Sequence, residues 1–269
     1  MVCDFKMPKR IENSHKGTYG RILNVSGSDY MSGAAYLSSI AALTVGCGYV
    51  VLCSTLRVIK AVAAKSSDIV FSPLSDVCNQ LGKANVLLFG CGLSTEGTSN
   101  VLFNKVFNSN INIPTVIDAD GLNLLAKLDI KTLPKNLILT PHPKEAAGLL
   151  GVSTEEVLSD MEFYAKVLSK KYSCVTVLKS HNTVVCSKDL EIYTNDTGNS
   201  ALSKAGSGDV LAGIIAGLLA QKCEPFYAAK LGVYLHGLCA DIAKKELTEY
   251  SLLASDIIKY IPKAIKTLL

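Results

Sequence analysis

Short, continuous apolar runs alternate with longer mixed stretches along the first half of the chain. The apolar runs end close to glycine, proline or aspartate, which commonly interrupt regular structure. Continuous apolar strands that alternate with helices are typical of a parallel sheet covered on both faces, and therefore of an α/β fold. The strands predicted in this part are 21–28, 49–53, 69–71, 85–89, 115–117 and 137–140.

The final third of the chain has a different pattern. Three apolar segments at 175–179, 183–186 and 191–193 follow one another closely, which predicts an antiparallel extension of the sheet. Ser32 is a predicted N-cap, because serine is a preferred residue at that position. The predicted helices are 33–45, 55–65, 75–81, 98–108, 209–221, 225–247 and 254–268.

Composition narrows the class of protein. The 269 residues are 49% apolar and 19% charged, which favours a large core over disorder, and we predict a single domain over 1–269. The net charge of +4 comes without a Lys/Arg block, so we expect no nucleic-acid partner. The longest apolar run, 210–220, is too short to cross a bilayer, so we expect no membrane segment.

Cysteine usage bears on compartment and metals. Nine cysteines form no CxxC pair, and most lie in apolar segments, where a reduced thiol is a small core side chain. The four histidines are scattered, so the sequence predicts no zinc site, and no residue is assigned as a metal ligand. Reduced thiols and the lack of an apolar signal segment predict a cytoplasmic protein.

The main chemical signal is the stretch AGSGD, which ends at Asp209 and opens the apolar run 210–220. Glycine lets the backbone approach a ligand and adopt positive φ angles. The first N–H groups of a helix favour an anion, because they have no partner within the helix. Asp209 is therefore either a helix cap or a base beside a bound phosphate, and this stretch alone leaves both open.

Other polar residues lie at the predicted strand ends. Asp118 either binds Mg²⁺ through water or caps the next helix, whereas Asp120 is predicted to be a cap. His142 lies between two prolines, which restrict its backbone. Lys179 opens a polar turn that is either a nucleotide contact or a solvated hairpin tip.

Several common nucleotide-binding and catalytic motifs are absent from the sequence. There is no GxxxxGK[ST], no GxGxxG after the first strand, no GxSxG and no HExxH. The absence of the first two motifs argues against P-loop and dinucleotide-binding enzymes.

Two lysines, Lys16 and Lys204, are either anion-holding residues or surface charges.

In combination, the motifs resemble those of the ADP/ATP-dependent NAD(P)H-hydrate dehydratase family, within the ribokinase-like superfamily. The resemblance runs from about His15 to Pro262. The GxGD element is shared across the superfamily, whereas TPHPKE with HKGTYG and TGN…GSGD, in this arrangement, points to the dehydratases. The motifs are HKGTYG, GSDYMSGAA, FGCGL, IDADGLN, LTPHPKE, LKSHNTVV, NDTGNSALSKAGSGDVLAG and VYLHG.

The resemblance implies a three-layer ribokinase-like sandwich and a cofactor-repair reaction. The implied substrates are the S-epimers of NADH hydrate and NADPH hydrate, which ADP or ATP would phosphorylate on the ring hydroxyl, with Mg²⁺, before phosphate is eliminated. It also implies a homo-oligomer, specifically a tetramer. A small-molecule kinase for a thiazole, pyrimidine or sugar alcohol is the alternative, and a non-catalytic nucleotide sensor is a third hypothesis.

Carried over by position, the resemblance implies that Asp209 contacts the substrate and takes its hydroxyl proton. Ala34, Gly92 and His142 would contact the hydrated cofactor. The implied nucleotide-binding residues are Lys179, Ser180, His181, Asn182, Thr183, Gly206, Ser207 and Gly208. The chain departs from the family's commoner pattern at Cys91, Ser180 and Ala205, where proline, glycine and glycine are usual.

Overall fold

The computed structural model describes residues 5–109, 112–128 and 132–269. Within these ranges, nine strands and eleven α-helices are joined by loops and three short 3₁₀ turns. The strands are β1 (Arg21–Val25), β2 (Tyr49–Ser54), β3 (Val70–Pro73), β4 (Val86–Phe89), β5 (Thr115–Ile117), β6 (Leu137–Leu139), β7 (Val175–Leu178), β8 (Val184–Cys186) and β9 (Ile192–Thr194). The helices are α1 (Ser32–Thr44), α2 (Leu56–Ala63), α3 (Val77–Leu81), α4 (Ser99–Phe107), α5 (Asp120–Lys127), α6 (Pro143–Leu150), α7 (Thr154–Ser159), α8 (Met161–Tyr172), α9 (Ser207–Ala220), α10 (Pro225–Ala243) and α11 (Ala254–Lys266).

All nine strands belong to one sheet, in the order β3-β2-β1-β4-β5-β6-β7-β8-β9. The strands β1 to β7 pair in parallel, whereas β8 and β9 join in antiparallel fashion. The predicted α/β class and the predicted antiparallel extension are both confirmed. Because the parallel strands run in one direction, their carboxyl ends lie at one end of the sheet, where ligands bind in open α/β folds.

Apolar cores cover both faces of the sheet, with a smaller apolar cluster between α1, α2 and β2. Leu88 of β4 contributes to the core under α9, α10 and α11, together with Ile214. Leu87 and Phe89 point to the opposite face, where Phe103 of α4 and side chains from α5 to α8 pack against them. The alternation along β4 therefore supplies both cores, and the fold has three layers.

Helix α9 packs closely against α1. A Cβ atom at Gly213 would collide with the backbone carbonyl of Ser38, and one at Gly217 would collide with Val45. The missing side chains let the two helix backbones approach each other, which fixes α9 against the sheet. Its N-terminus lies at the carboxyl end of the parallel strands.

Two predicted caps are wrong. Ser32 is the first residue of α1, and Met31 occupies the N-cap without a side-chain hydrogen bond. Ala119 occupies the N-cap of α5 with a φ of 50°. The Asp120 carboxylate instead accepts a 2.8 Å hydrogen bond from the Ser94 amide. It therefore holds the loop after β4, a partner that local sequence does not reveal.

Several predicted helix boundaries also shift. Helix α9 begins at Ser207, two residues earlier than predicted, because Gly206 already serves as its N-cap. Helix α10 ends at Ala243, before the predicted end at 247. The predicted helix 75–81 is a 3₁₀ turn at Leu74–Asp76 followed by the short α3.

The HKGTYG motif lies at the amino end of the sheet. Residues Lys16–Tyr19 form a 3₁₀ turn directly before β1, and the Gly48 amide donates to the carbonyls of Tyr19 and Gly20 at 3.0 and 3.1 Å. The Lys16 ammonium lies 5.5 Å from the centre of the Tyr49 ring. Lys16 is therefore an exposed surface charge far from the carboxyl ends of the strands.

The structure bears on the cysteine and membrane-segment predictions only within the described residues. The eight cysteines of the described ranges are all free thiols, and Cys3 lies outside those ranges. None of the described helices combines the length and the apolar character needed for a membrane span.

Candidate active site

Four neighbouring parallel strands deliver polar side chains to the carboxyl end of the sheet. Cys91 follows β4, Asp118 follows β5, Thr140 follows β6 and Lys179 follows β7. Neighbouring parallel strands end side by side, so these residues converge although they are far apart in sequence.

Lys179 is held between two acidic side chains. Its Nζ donates to Asp118 Oδ1 at 2.6 Å, and Glu145 Oε2 lies 3.9 Å from the same nitrogen. Thr140 Oγ1 also donates to Asp118 Oδ1, at 2.8 Å. Burial alone would lower the pKa of Lys179, but the two carboxylates outweigh it, so the pKa is raised and the ammonium stays charged. The site therefore contains a fixed cation.

Helix α9 begins beside that cation. Gly206 is its N-cap with a φ of 93°, a conformation that favours glycine. A Cβ atom at Gly208 would lie 3.5 Å from Lys179 Nζ, so the first turn closely approaches the ammonium. The Ser207 amide already donates to a carbonyl of the preceding turn at 3.2 Å. The amides of Gly208 and Asp209 are therefore the candidates for binding an anion.

Asp209 lies in the first turn of α9 and is half-buried. One carboxylate oxygen of Asp209, one of Asp118 and the Sγ atom of Cys91 all lie within 4.8 Å of one another. Burial, and then the neighbouring charge of Asp118, raise the pKa of Asp209 to about 6. A carboxylate with a pKa near the working pH is suited to accept a proton.

His142 and Glu145 form a reciprocal cap at the start of α6. The His142 amide donates to Glu145 Oε2 at 2.8 Å, and the Glu145 amide donates to His142 Nδ1 at 3.2 Å. Burial raises the pKa of Glu145 to about 7, despite the opposing effect of Lys179. Burial, and then the charge of Lys179, lower the pKa of His142, which keeps this imidazole neutral at pH 7.

Two adjoining cavities of about 400 and 360 Å³ open beside this cluster. Their sizes are in the range of small-molecule sites. His181 lines only the first cavity, whereas Ser207 and Gly208 line only the second. The residues common to both are His142, Lys179, Ser180, Thr183, Leu202, Ser203, Leu211 and His236.

The other predicted site residues do not line these two cavities. Gly92 faces α1, because a Cβ atom there would lie 2.7 Å from the Cβ of Ala34 and 3.0 Å from that of Met31. Gly92 also follows Cys91, whose thiol lies beside Asp209. Asn182 is exposed at the turn between β7 and β8. Asp209 lies beside Cys91 in the loop of Gly92, and it directly follows Gly208, which lines the second cavity.

A larger cavity, of about 740 Å³, lies at the opposite end of the sheet, where Lys135 and Lys171 are among its lining residues. Its lining contains none of the predicted site residues. The convergence of charged groups, rather than cavity size, therefore identifies the candidate active site.

Three residues of the site had no role in the sequence analysis, and one of them is Thr140, which bonds to Asp118. Glu145 belongs to LTPHPKE, and the spacing of three residues after His142 signals a capping pair. His236 belongs to VYLHG, and its Nε2 shares a 3.2 Å hydrogen bond with Ser207 Oγ. That contact joins α10 to α9 and has no signal in the local sequence.

The mostly parallel sheet and the glycine-initiated helix beside a fixed lysine are the features of a ribokinase-like protein, with a candidate anion-binding site at the start of α9. A crystal structure of a ribokinase-like superfamily protein from Enterococcus faecalis matches with a TM-score of 0.90 at 26% identity, and covers 98% of this chain and 93% of that one. The predicted ribokinase-like fold is confirmed.

The chain belongs to the NAD(P)H-hydrate dehydratase family, whose model matches residues 22–263. A Neisseria meningitidis serogroup B relative, described as an ADP-dependent (S)-NAD(P)H-hydrate dehydratase, is 41% identical over 244 residues, which cover 88% of this chain and 81% of that protein. The crystal structure of the ADP/ATP-dependent NAD(P)H-hydrate dehydratase from Bacillus subtilis, co-crystallised with ATP/Mg²⁺, matches with a TM-score of 0.89 at 31% identity, and covers 98% and 95% of the two chains. The chain spans about half the length of several relatives described as bifunctional NAD(P)H-hydrate repair enzymes.

Proposed function

We propose that this chain dehydrates the S-epimers of NADH hydrate and NADPH hydrate back to NADH and NADPH, with ADP or ATP as phosphoryl donor. The observation that carries the proposal is the position of Asp209. Its carboxylate lies beside Asp118 and Cys91, in the first turn of a helix whose Gly208 approaches Lys179. A candidate base, candidate anion-binding amides and a fixed cation therefore lie close together, which supports the proposal.

Asp209 would take the proton of the ring hydroxyl. The hydroxyl oxygen of the substrate would then attack the terminal phosphorus of the nucleotide. The bond from that phosphorus to the nucleotide's bridging oxygen breaks, and AMP or ADP leaves. Phosphate is a better leaving group than hydroxide. It then departs with the assistance of the lone pair on the ring nitrogen. Loss of a proton from the neighbouring carbon restores the double bond.

The nucleotide would lie in the two cavities with its phosphates toward α9. Lys179 and the amides of Gly208 and Asp209 would stabilise charge on the transferred phosphoryl group. Four further predicted contacts that line one or both cavities would complete the nucleotide site: Ser180, His181, Thr183 and Ser207. Asn182 and Gly206, which do not line them, would contact the nucleotide from the adjoining turns. Ala34, Gly92 and His142 would contact the hydrated cofactor.

The residues present fit a magnesium ion, which prefers oxygen ligands and retains water. Lys179 and Thr140 both bond to Asp118 Oδ1, so Oδ2 faces away from the ammonium toward Cys91. Asp118 would hold Mg²⁺ through water, and the ion would neutralise charge on the nucleotide phosphates. We also propose that the chain forms one domain and is cytoplasmic. We further propose that it assembles as a homotetramer, and light scattering of the purified protein tests this oligomeric state.

The experiment is an incubation of the protein with NADH hydrate and either ADP or ATP, followed by the return of reduced-nicotinamide absorbance. We expect recovery with at least one nucleotide. The Asp209→Asn variant should lose about 10²–10⁴-fold in rate, because it cannot accept the proton. The matched control is Asp189→Asn, an exposed aspartate in a turn, which should keep the full rate.

Two results would contradict the proposal. No recovery with either nucleotide would exclude the dehydratase activity, and a fully active Asp209→Asn variant would remove Asp209 from the mechanism. A phosphorylated product that accumulates without elimination would instead indicate the small-molecule kinase.

A further inference from the structure

The group beside the base contains a thiol as well as two carboxylates. Cys91 Sγ lies 3.9 Å from Asp118 Oδ2, and one oxygen of Asp209 lies within 4.8 Å of both partners. The Cys91 and Asp118 side chains are buried, and Asp209 is half-buried. Three different segments of the chain thus present ligand atoms to one small space.

The charges around this space favour a cation. Asp118, Asp209 and Glu145 provide three carboxyl groups, whereas the nearby cation, Lys179, pairs with Asp118 at 2.6 Å and lies 3.9 Å from Glu145. The Lys179 ammonium is bonded to Asp118 Oδ1, so it leaves the other oxygen directed toward Cys91. An added positive ion would therefore meet carboxylates and a thiol on one side and the ammonium on the other.

The donor set selects the kind of ion. Magnesium prefers oxygen ligands and has little affinity for sulfur, whereas Zn²⁺ binds cysteine, histidine and carboxylate ligands with bonds of about 2.0–2.3 Å. Three protein ligands with an open fourth position are a common arrangement for zinc. Small side-chain rotations would bring three atoms spaced within 4.8 Å onto one such ion.

We propose that Cys91, Asp118 and Asp209 form a site for a thiophilic divalent cation such as Zn²⁺, and that its occupation inhibits the enzyme. On binding, the thiol proton leaves to solvent, and the thiolate sulfur and one oxygen of each aspartate bond to the ion. The coordinated Asp209 carboxylate is then no longer available to accept the substrate's hydroxyl proton. Only this inhibitory consequence depends on the proposed function.

The binding test uses Cd²⁺ as the probe, because a cadmium–thiolate bond gives an ultraviolet charge-transfer band. Titration of the full chain should give this band at one ion per chain, and Cys91→Ala should lose it. The control is Cys78→Ala, because Cys78 is an exposed thiol on α3, and this variant should keep the band. Asp209→Asn should keep the thiol but weaken Cd²⁺ binding by about tenfold or more, since it lacks one ligand.

Either of two binding results would overturn the proposal. Wild-type protein without the band, or a band that Cys91→Ala retains at full strength, would show that Cys91 does not bind the ion. If Cys91→Ala does not fold, Cys91→Ser takes its place, because a hydroxyl nearly preserves the volume but cannot give the thiolate band.

The inhibition test compares Zn²⁺ titrations of the dehydration rate at fixed Mg²⁺. Wild type should be inhibited by Zn²⁺. Whichever of Cys91→Ala and Cys91→Ser folds and dehydrates the substrate should need about tenfold or more Zn²⁺ for equal inhibition. Equal sensitivity of the two proteins would refute the inhibitory role. If no dehydration occurs with either nucleotide, the proposed function fails, whereas the Cd²⁺ band still decides whether the metal site exists.

Discussion

Lys179 shows how one residue supports both the fold and the proposed chemistry. Its ammonium is mostly covered by protein and neutralises Asp118, whose side chain is 2% exposed. A buried carboxylate that loses its partner is strongly destabilising, because it is neither hydrated nor neutralised. The same ammonium faces Gly208, where the phosphates would lie.

We predict that Lys179→Met lowers the free energy of unfolding by about 3 kcal/mol. The physical reason is the uncompensated Asp118 carboxylate, so adding Asp118→Asn to Lys179→Met should restore part of the loss. Urea denaturation at pH 7 of the wild type, both single variants and the double variant measures this coupling.

The matched control is Lys230→Met. Lys230 pairs with Glu191 at 3.8 Å, and the Glu191 side chain is 68% exposed, so its loss should cost less than about 1 kcal/mol. Equal losses for the two lysine variants would show that Asp118 does not depend on Lys179.

At this scale, the sequence identified residue types but not their partners. Asp118 and Lys179 were each singled out at a strand end, with alternative roles left open. Their 2.6 Å contact joins positions 61 residues apart, and it exists only because β5, β6 and β7 are neighbours in the sheet. The thiol of Cys91 has the same origin, since the loop after β4 brings it beside Asp118.

Among the helices, α9 depends on glycine for its close packing against α1. Gly213 lies in its interior against the Ser38 carbonyl of α1, whereas Gly148 in α6 has open space where a Cβ atom would be. Glycine weakens an exposed helix because it costs backbone entropy, but in α9 it allows close contact between two helices. The same substitution should therefore have opposite effects in the two helices.

We predict that Gly213→Ala lowers the free energy of unfolding by about 1–3 kcal/mol, because the new methyl group forces α9 away from α1. Its control, Gly148→Ala, should raise stability by about 0.5–1 kcal/mol through helix propensity. Thermal or urea unfolding of both variants measures the difference. If Gly213→Ala proved as stable as Gly148→Ala, close packing of α1 and α9 would be wrong.

Helices were predicted best where their apolar stretch is long. Helix α9 was evident from the run 210–220, but α5, α6, α7 and α8 were not assigned. The signals of α7 and α8 are weak, because α7 buries only Val157 and leaves Leu158 exposed, and α8 buries little beyond Ala165 and Leu168. Such helices are stabilised by the sheet they cover, so local sequence alone does not specify them.

At the scale of the whole molecule, the strand order creates the site. The sequence predicted parallel strands and the position of ligands at their carboxyl ends, but not which strands are neighbours. The order β4-β5-β6-β7 places Cys91, Asp118, Thr140 and Lys179 in a row. That order depends on how all the helices pack, so the composition of the site could not be read from any one segment.

The buried groups of the site make the stability of the whole molecule depend on pH in two opposite directions. Burial lowers the pKa of His236 to about 4, so the folded state binds a proton less readily there than the unfolded state does. Its contribution to stability is therefore lost as pH falls from about 6.5 to 4. Burial raises the pKa of Asp209 to about 6 and that of Glu145 to about 7. These two carboxyl groups add stability as pH falls and partly hide the effect of His236.

The contribution of His236 is isolated by comparing the wild type with His236→Gln, which cannot take up a proton. Because the pKa of His236 in the folded state is about 4, against 6.5 ordinarily, the stability of wild type relative to His236→Gln should fall by about 3 kcal/mol between pH 7 and pH 4. Urea denaturation of both proteins across this range measures the difference. The control is His181→Gln, which makes the same substitution at an exposed histidine. A constant difference for His236→Gln as well would mean that His236 takes up a proton in the fold as easily as in water, which its burial against Ser207 at the start of α9 argues against.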